Sequence, residues 1–195
     1  MAKRGRKKIN KSINQNAERF VELPRKHKSA LRASIRIGGQ LPFELADDFC
    51  RYVTDDVVRL APGSVVFTPR SAADLLGSRA FVDDQQLLCF YTDDGIAGGF
   101  PLIEIFALRH GLDYTLKSEG YHKYEPFMVE HRAENALYYK TRTDLDYQPL
   151  VRPKDLIAIR NYRTKAQIRE ALDDIVPDIA PLTSFVIWTP QMRKE

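Results

Sequence analysis

The sequence predicts an α+β domain, a mixed or antiparallel sheet with its helices on one face, preceded by a basic arm. Three observations carry this. Apolar residues recur with period two in some segments and near 3.6 in others. Those segments follow in the order strand, helix, strand, short helix, strand, helix, strand, strand, helix, for which a split βαβ, ferredoxin-like arrangement is the first topology. Charge is also divided: residues 1–38 hold 12 Lys and Arg against Glu18 and Glu22, whereas residues 39–150 hold 10 against 18 acids. The chain therefore parses as an arm over residues 1–30, expected to be disordered when free, and a single domain over residues 31–195.

Ala33, Ile35 and Ile37 alternate with Ser34 and Arg36, the pattern of a half-buried strand that Gly38-Gly39 ends. Pro42 suits a helix's first turn, and Leu45, Phe49, Tyr52, Val53, Val57 and Leu60 continue at helical spacing. Val65–Phe67 is a short strand candidate, and Ser71 with Asp74 can cap a brief helix closed by Gly77. The run from Gln86 to Tyr91 reads as a central strand. Pro101 opens a second helix, filled by Leu102, Ile105, Phe106 and Leu108 and ended by Gly111. Leu112–Leu116 and Phe127–Val129 alternate as strands, and residues 136–139 can extend the sheet. Thr164 and Gln167 form a capping box for a last helix, and residues 185–188 make a final strand or a strap across the core.

No apolar run reaches the roughly 18–20 residues that span a bilayer. No apolar segment follows the charged start, as a signal peptide would require. A cytoplasmic protein without a membrane partner is expected. Cys50 and Cys89, each in an apolar context, read as small buried hydrophobes in a reducing compartment rather than a disulfide.

The arm carries Lys3, Arg4, Arg6, Lys7, Lys8, Lys11, Arg25, Lys26 and Lys28, a candidate nucleic-acid contact. A solubilising tail would share this composition. Arg4-Gly5-Arg6 resembles the core of AT-hook segments, in which glycine lets two guanidinium groups reach the minor-groove floor. Lys3 and Lys7 stand where flanking prolines usually do, so phosphate attraction is the part that carries over. Residues 118–126 gather Tyr121, His122, Lys123 and Tyr124 between two strands; with Asp93 and Asp94 they are the candidate partner-binding residues. Tyrosine gives large contact area at low entropy cost, although an ordinary polar hairpin has the same look.

The chemical motifs are weaker. His110, His122 and His131 with Glu119 and Glu130 match no metal-ligand spacing, so no metal is expected. Adjacent acids (Asp55-Asp56, Asp83-Asp84, Asp93-Asp94, Asp173-Asp174) point in different directions and suit solvated loops better than catalysis. Gly95, Gly98 and Gly99 before a helix suggest a phosphate-cradling loop, but the P-loop Lys-Ser/Thr is missing and Asp93-Asp94 would repel phosphate. Neither cofactor nor catalytic residue is expected.

The runs GGQLP, FYTDDGIAGGF, ALRHGLDYTLKSEGYHKYEP and LDDIVPDIAPLTSF resemble small accessory proteins of phages and plasmids, over about residues 35–185. The resemblance implies a mobile-element origin and a non-enzymatic protein that binds nucleic acid or host machinery. The expected function is nucleic-acid contact through the arm and a protein or ribonucleoprotein partner on the acidic body. The alternative is an anti-CRISPR-type inhibitor whose acidic surface (Glu44, Asp47, Asp48, Asp55, Asp56, Asp93, Asp94) blocks a nucleic-acid channel.

Because the patterning begins near Leu31, a chain starting at Lys28 should keep a cooperative thermal transition. Loss of that transition would place the arm in the core.

Overall fold

The computed structural model describes residues 31–95, 98–120 and 125–189. Strand β1 (Leu31–Gly38) turns Leu31, Ala33, Ile35 and Ile37 into the core, as its period of two requires. It lies between β4 (Gln85–Gly95) and β5 (Asp113–Ser118), antiparallel to both, with Ile35 opposite Phe90 on one side and Leu116 on the other. The short β3 (Arg79–Val82) pairs with β4, and β6 (Phe127–Arg132) and β7 (Leu137–Arg142) continue from β5 as a meander. The order is β3-β4-β1-β5-β6-β7, and all six strands run antiparallel. Its first four positions, connected through two crossover helices, make the split βαβ arrangement expected from the sequence.

Helix α1 (Ala46–Asp55) follows a 3-10 turn at Phe43–Leu45 and buries Phe49, Cys50 and Val53. The expected stripe ran on to Val57 and Leu60, but the helix stops at Asp55. Val57 takes a positive φ of 54°, and both it and Leu60 are exposed. The chain turns there to bond with β4: Arg59 and Tyr91 exchange both backbone hydrogen bonds at 2.8 Å. The expected strand at Val65–Phe67 reduces to one bridge, Arg59 to Val66, although the Phe67 ring still stacks on Phe90. Helix α2 (Ala72–Gly77) has the predicted cap, the Ser71 hydroxyl accepting from the Asp74 amide, and Gly77 is its last helical residue.

Helix α3 (Pro101–His110) starts on its proline and ends at Gly111, whose φ of 71° is the left-handed conformation that glycine adopts without strain. Its buried run is Ile103, Glu104, Ile105, Phe106 and Ala107. The expected face included Leu102 and Leu108, which are only partly covered. Phe106 meets Phe49 at 4.9 Å and Tyr52 at 5.2 Å, so α1 and α3 share one aromatic contact on one face of the sheet.

Two further helices, α4 (Pro153–Arg160) and α5 (Lys165–Ile175), form a hairpin that buries no residue. The capping box at Thr164 and Gln167 is present in both directions. Helix α4 and strand β3 have no counterpart in the sequence reading. The β3–β4 turn is made by Asp83 and Asp84, both at positive φ, the twist that a two-residue hairpin needs.

The chain then straps across the domain. Leu182 covers Leu87 and Cys89 on the sheet's other face, Phe185 enters the main core 6.3 Å from Phe49, and β8 (Val186–Trp188) pairs in parallel with β2 (Gln40–Pro42). Gly38 makes this crossing possible: a Cβ there would stand 2.1 Å from the Thr183 carbonyl oxygen. Buried Arg132 secures the strap from beneath, donating to the Ala180 carbonyl at 2.7 Å while pairing with Glu130 at 2.8 Å. Cys50 and Cys89 are both free and buried, and burial pushes the Cys50 thiol up to about 11. Cys50 sits in the main core and Cys89 in the smaller cluster on the other face, which separates them. Among the described residues no helix is long and apolar enough to cross a membrane.

Truncating Phe49 to Ala should cost about 3–5 kcal/mol, because its ring joins α1, α3 and the strap. Asp48→Ala loses only an exposed ion pair with Arg51 and should cost under about 1 kcal/mol. Chemical denaturation of the two variants compares them; equal losses would contradict the placement of Phe49.

Candidate functional site

One end of the sheet collects the features singled out in the sequence. Strand β1 starts there, β4 and β5 end there, β6 begins there, and α3 presents its N-terminus there. Leu31 pairs with Gly95, so the arm joins the domain beside the β4–α3 loop. The candidate arm residues Lys3, Arg4, Arg6, Lys7, Lys8, Lys11, Arg25, Lys26 and Lys28 lie outside the described residues. So do Tyr121, His122, Lys123 and Tyr124, but both flanks of that loop are fixed. The Glu119 amide donates to the Arg32 carbonyl at 3.0 Å, and Glu125 pairs with Arg142 at 2.7 Å.

Asp93 and Asp94 rim a groove of about 230 Å³ between the end of β4 and the start of α3, lined also by Asp55, Asp56, Arg59 and Thr92. Arg59 pairs with Asp93 at 3.2 Å, and Arg32 approaches the same carboxylate at 3.9 Å. Asp55 and Asp94 remain exposed and form no ion pair among the described residues. The groove is therefore acidic, with the Arg59 guanidinium in its lining.

The amides that open α3 are already bonded within the chain. An uncapped helix N-terminus is an anion site, since its first amides lack partners. Here two carboxylates of the same chain occupy it. Asp56 accepts from the Leu102 amide at 3.1 Å and the Ile103 amide at 2.8 Å, and Glu104 accepts from the Phe100 amide at 2.9 Å. The glycines of the loop serve this packing. Gly98 has a φ of 77°, and a Cβ on it would lie 2.3 Å from the Ser118 hydroxyl; one on Gly99 would lie 2.6 Å from a Glu104 carboxylate oxygen.

Desolvation pushes the Asp56 carboxyl up to about 7, against the Ile103 and Leu102 amide bonds that favour the anion. Burial likewise raises Glu104, whose charge would fall among aromatic hydroxyls. Tyr114 and Tyr138 are raised by burial first and by Glu104 second. Tyr114, His131 and Tyr138 form one cross-strand row on the helix-covered face. The His131 Nδ1 lies 2.9 Å from the Leu137 carbonyl, and burial lowers the His131 pKa. This row is packed into the core beneath α3.

His122 lies outside the described residues, and His110, His131 and Glu130 are dispersed. Glu130 faces the opposite side of the sheet from His131 and is committed to Arg132 and Thr115. His110 lies at the far end of α3 with its ring 4.4 Å from Phe106. Among the described residues no group of three or more His, Cys, Asp and Glu is placed to hold a metal ion. Asp56 had been counted in the acidic surface, and the structure turns its carboxylate toward α3 instead. Its only sequence signal is its place before a chain reversal. Glu104 is signalled by being an acid in the first turn of a helix opened by proline.

A neutral Asp56 in the fold makes stability fall as pH rises from about 4 to about 7, because the unfolded chain releases its proton first. Asp56→Asn keeps an acceptor oxygen without ionising, so its melting temperature should vary less over that window. Parallel thermal melts at pH 4.5 and 7.5 test this; identical pH profiles would mean that Asp56 is ionised in the folded protein.

No protein-family model, no curated protein and no solved structure matches this chain.

Proposed function

We propose that this is a non-enzymatic binding protein of a mobile genetic element, which grips nucleic acid with its basic arm and a protein partner with the acidic end of its body. The observation that carries this is the separation of charge about one junction. Residues 1–38 hold 12 cationic side chains against 2 acids, and where β1 enters the sheet the chain meets the groove of Asp55, Asp93 and Asp94. A polyanion and the groove repel each other, so nucleic acid on the arm leaves the groove to a partner with basic side chains. The segment holding Tyr121, His122, Lys123 and Tyr124 springs from the same end and would add aromatic anchors to that interface. The arm's affinity comes mainly from displaced counterions, as suits clustered charge with few apolar residues.

The inhibitor alternative draws on a different surface. Glu44, Asp47 and Asp55 are exposed along the 3-10 turn and α1, a row of negative charge that could stand in for a nucleic-acid backbone. Under that reading the purified protein would bind no nucleic acid without its target.

Titrating the full chain with duplex DNA over a range of salt separates the two. If about half of the arm's cations meet phosphates, the arm's share of the slope of log K against log salt should be near −5. Neutralising Arg4, Arg6, Lys7 and Lys8 together should reduce that slope by up to about 3–4, nearly regardless of DNA sequence. Binding absent at low salt, or unmoved by the four changes, would overturn the arm's role.

A further inference from the structure

We infer that the α4–α5 hairpin is a second nucleic-acid contact, with its basic tip seated on the phosphates that flank a groove of duplex DNA. The inference rests on the reading of the chain as a nucleic-acid binder, and it adds a folded element distinct from the arm.

Between Asp155 and Glu170 the chain has no acid and carries Arg160, Arg163, Lys165 and Arg169. All four are exposed, and none forms an ion pair among the described residues. The one acid near the start of α4, Asp155, is already bound to Arg152, with hydrogen bonds of 2.7 and 3.0 Å. The four-residue turn Asn161–Thr164 joins the helices and sets Tyr162, 42% exposed, among these cations. Elsewhere on the body, cations near the groove are drawn to Asp93. Here no described carboxylate pairs with them.

The tip is also well presented. The capping box at Thr164 and Gln167 fixes the first turn of α5, from which Lys165 and Arg169 project one helical turn apart. At the other end of α5 the Tyr139 hydroxyl donates to the Ile175 carbonyl, tying the helix to β7. The 11 residues of α5 thus separate the tip from its attachment by about 15 Å. The acids Asp173, Asp174 and Asp178 gather near that attachment, so the hairpin is charged positive at the tip and negative at the base.

Phosphodiester backbone is the polyanion that fits such a surface: Arg and Lys supply the attraction and Tyr a hydroxyl donor. B-form DNA is favoured over duplex RNA because a helix fits the B-form major groove, whereas the A-form major groove is deep and narrow.

The test uses the full chain and a mixed-sequence DNA duplex. Arg160→Ala, Arg163→Ala, Lys165→Ala and Arg169→Ala together should lower the salt slope by about 3–4 units. The melting temperature should hold, since all four side chains are exposed. A companion variant neutralised only at Arg4, Arg6, Lys7 and Lys8 keeps the hairpin's share, so a failure of the arm and a failure of the hairpin read separately. An unchanged slope and affinity in the hairpin variant would overturn the inference. So would tighter binding of an RNA duplex of the same sequence, or a loss confined to phosphatidylserine vesicles.

Discussion

The first turn of α3 is held from two sides by carboxylates, and much of the functional end is built around that clamp. Asp56 reaches it from the end of α1 and Glu104 from within α3. The clamp uses the C-cap of α1, so the point where that helix ends is also the point where it grips α3. It brings the β4–α3 loop down onto Ser118 and Glu104, where only glycine backbone fits. It also consumes the anion-binding capacity of the helix terminus, so the groove beside it takes its character from Asp55, Asp93, Asp94 and Arg59. Each carboxylate is retained at a cost in desolvation, and both are pushed towards the neutral form by it.

The sheet was legible where apolar residues alternate along a strand. β1, β5 and β6 show their period of two, and the proline and glycine at the ends of α3 mark it without ambiguity. Elements whose stability comes from elsewhere were not legible. β3 has a mixed exposure pattern and is held by the edge of β4. α4 has a proline start but no side-chain cap and no buried face, so no period betrays it. The error at Val57 and Leu60 has a similar origin. Both sit at helical spacing, yet the competing bonds between Arg59 and Tyr91 belong to the sheet and are invisible to a local pattern. At the site, Asp93 and Asp94 were legible as a charged pair, but the stretch expected as a loop after Tyr91 is strand, because β4 runs on to Gly95 opposite Leu31. The division of labour between Asp55, which faces solvent, and Asp56, which caps a helix, depends on a contact 46 residues away in the chain.

Charge in this protein is organised by position more than by amount. The net of +4 would describe a mildly basic protein, yet residues 39–150 are acidic and the excess of cations lies in the sequence on either side of them. Within the domain, Arg32, Arg59 and Arg132 are spent on internal pairs with Asp93 and Glu130. The cations of the α4–α5 tip form no such pair among the described residues. On the proposed reading, this layout attracts a polyanion at its edges and repels it from its centre, which orients an encounter before any contact forms.

The strap has a consequence for how the domain is made. Phe185 fills the main core and β8 closes on β2, so the first and last parts of the domain are neighbours in space. During synthesis the sheet and both crossover helices emerge before the residue that seals the space between them. Until then Phe49 lacks one of its ring neighbours and the edge of β2 stands open. The nascent domain is thus an apolar cleft awaiting its own closing segment. That interval, rather than any feature of the finished fold, is when it most needs a chaperone's cover.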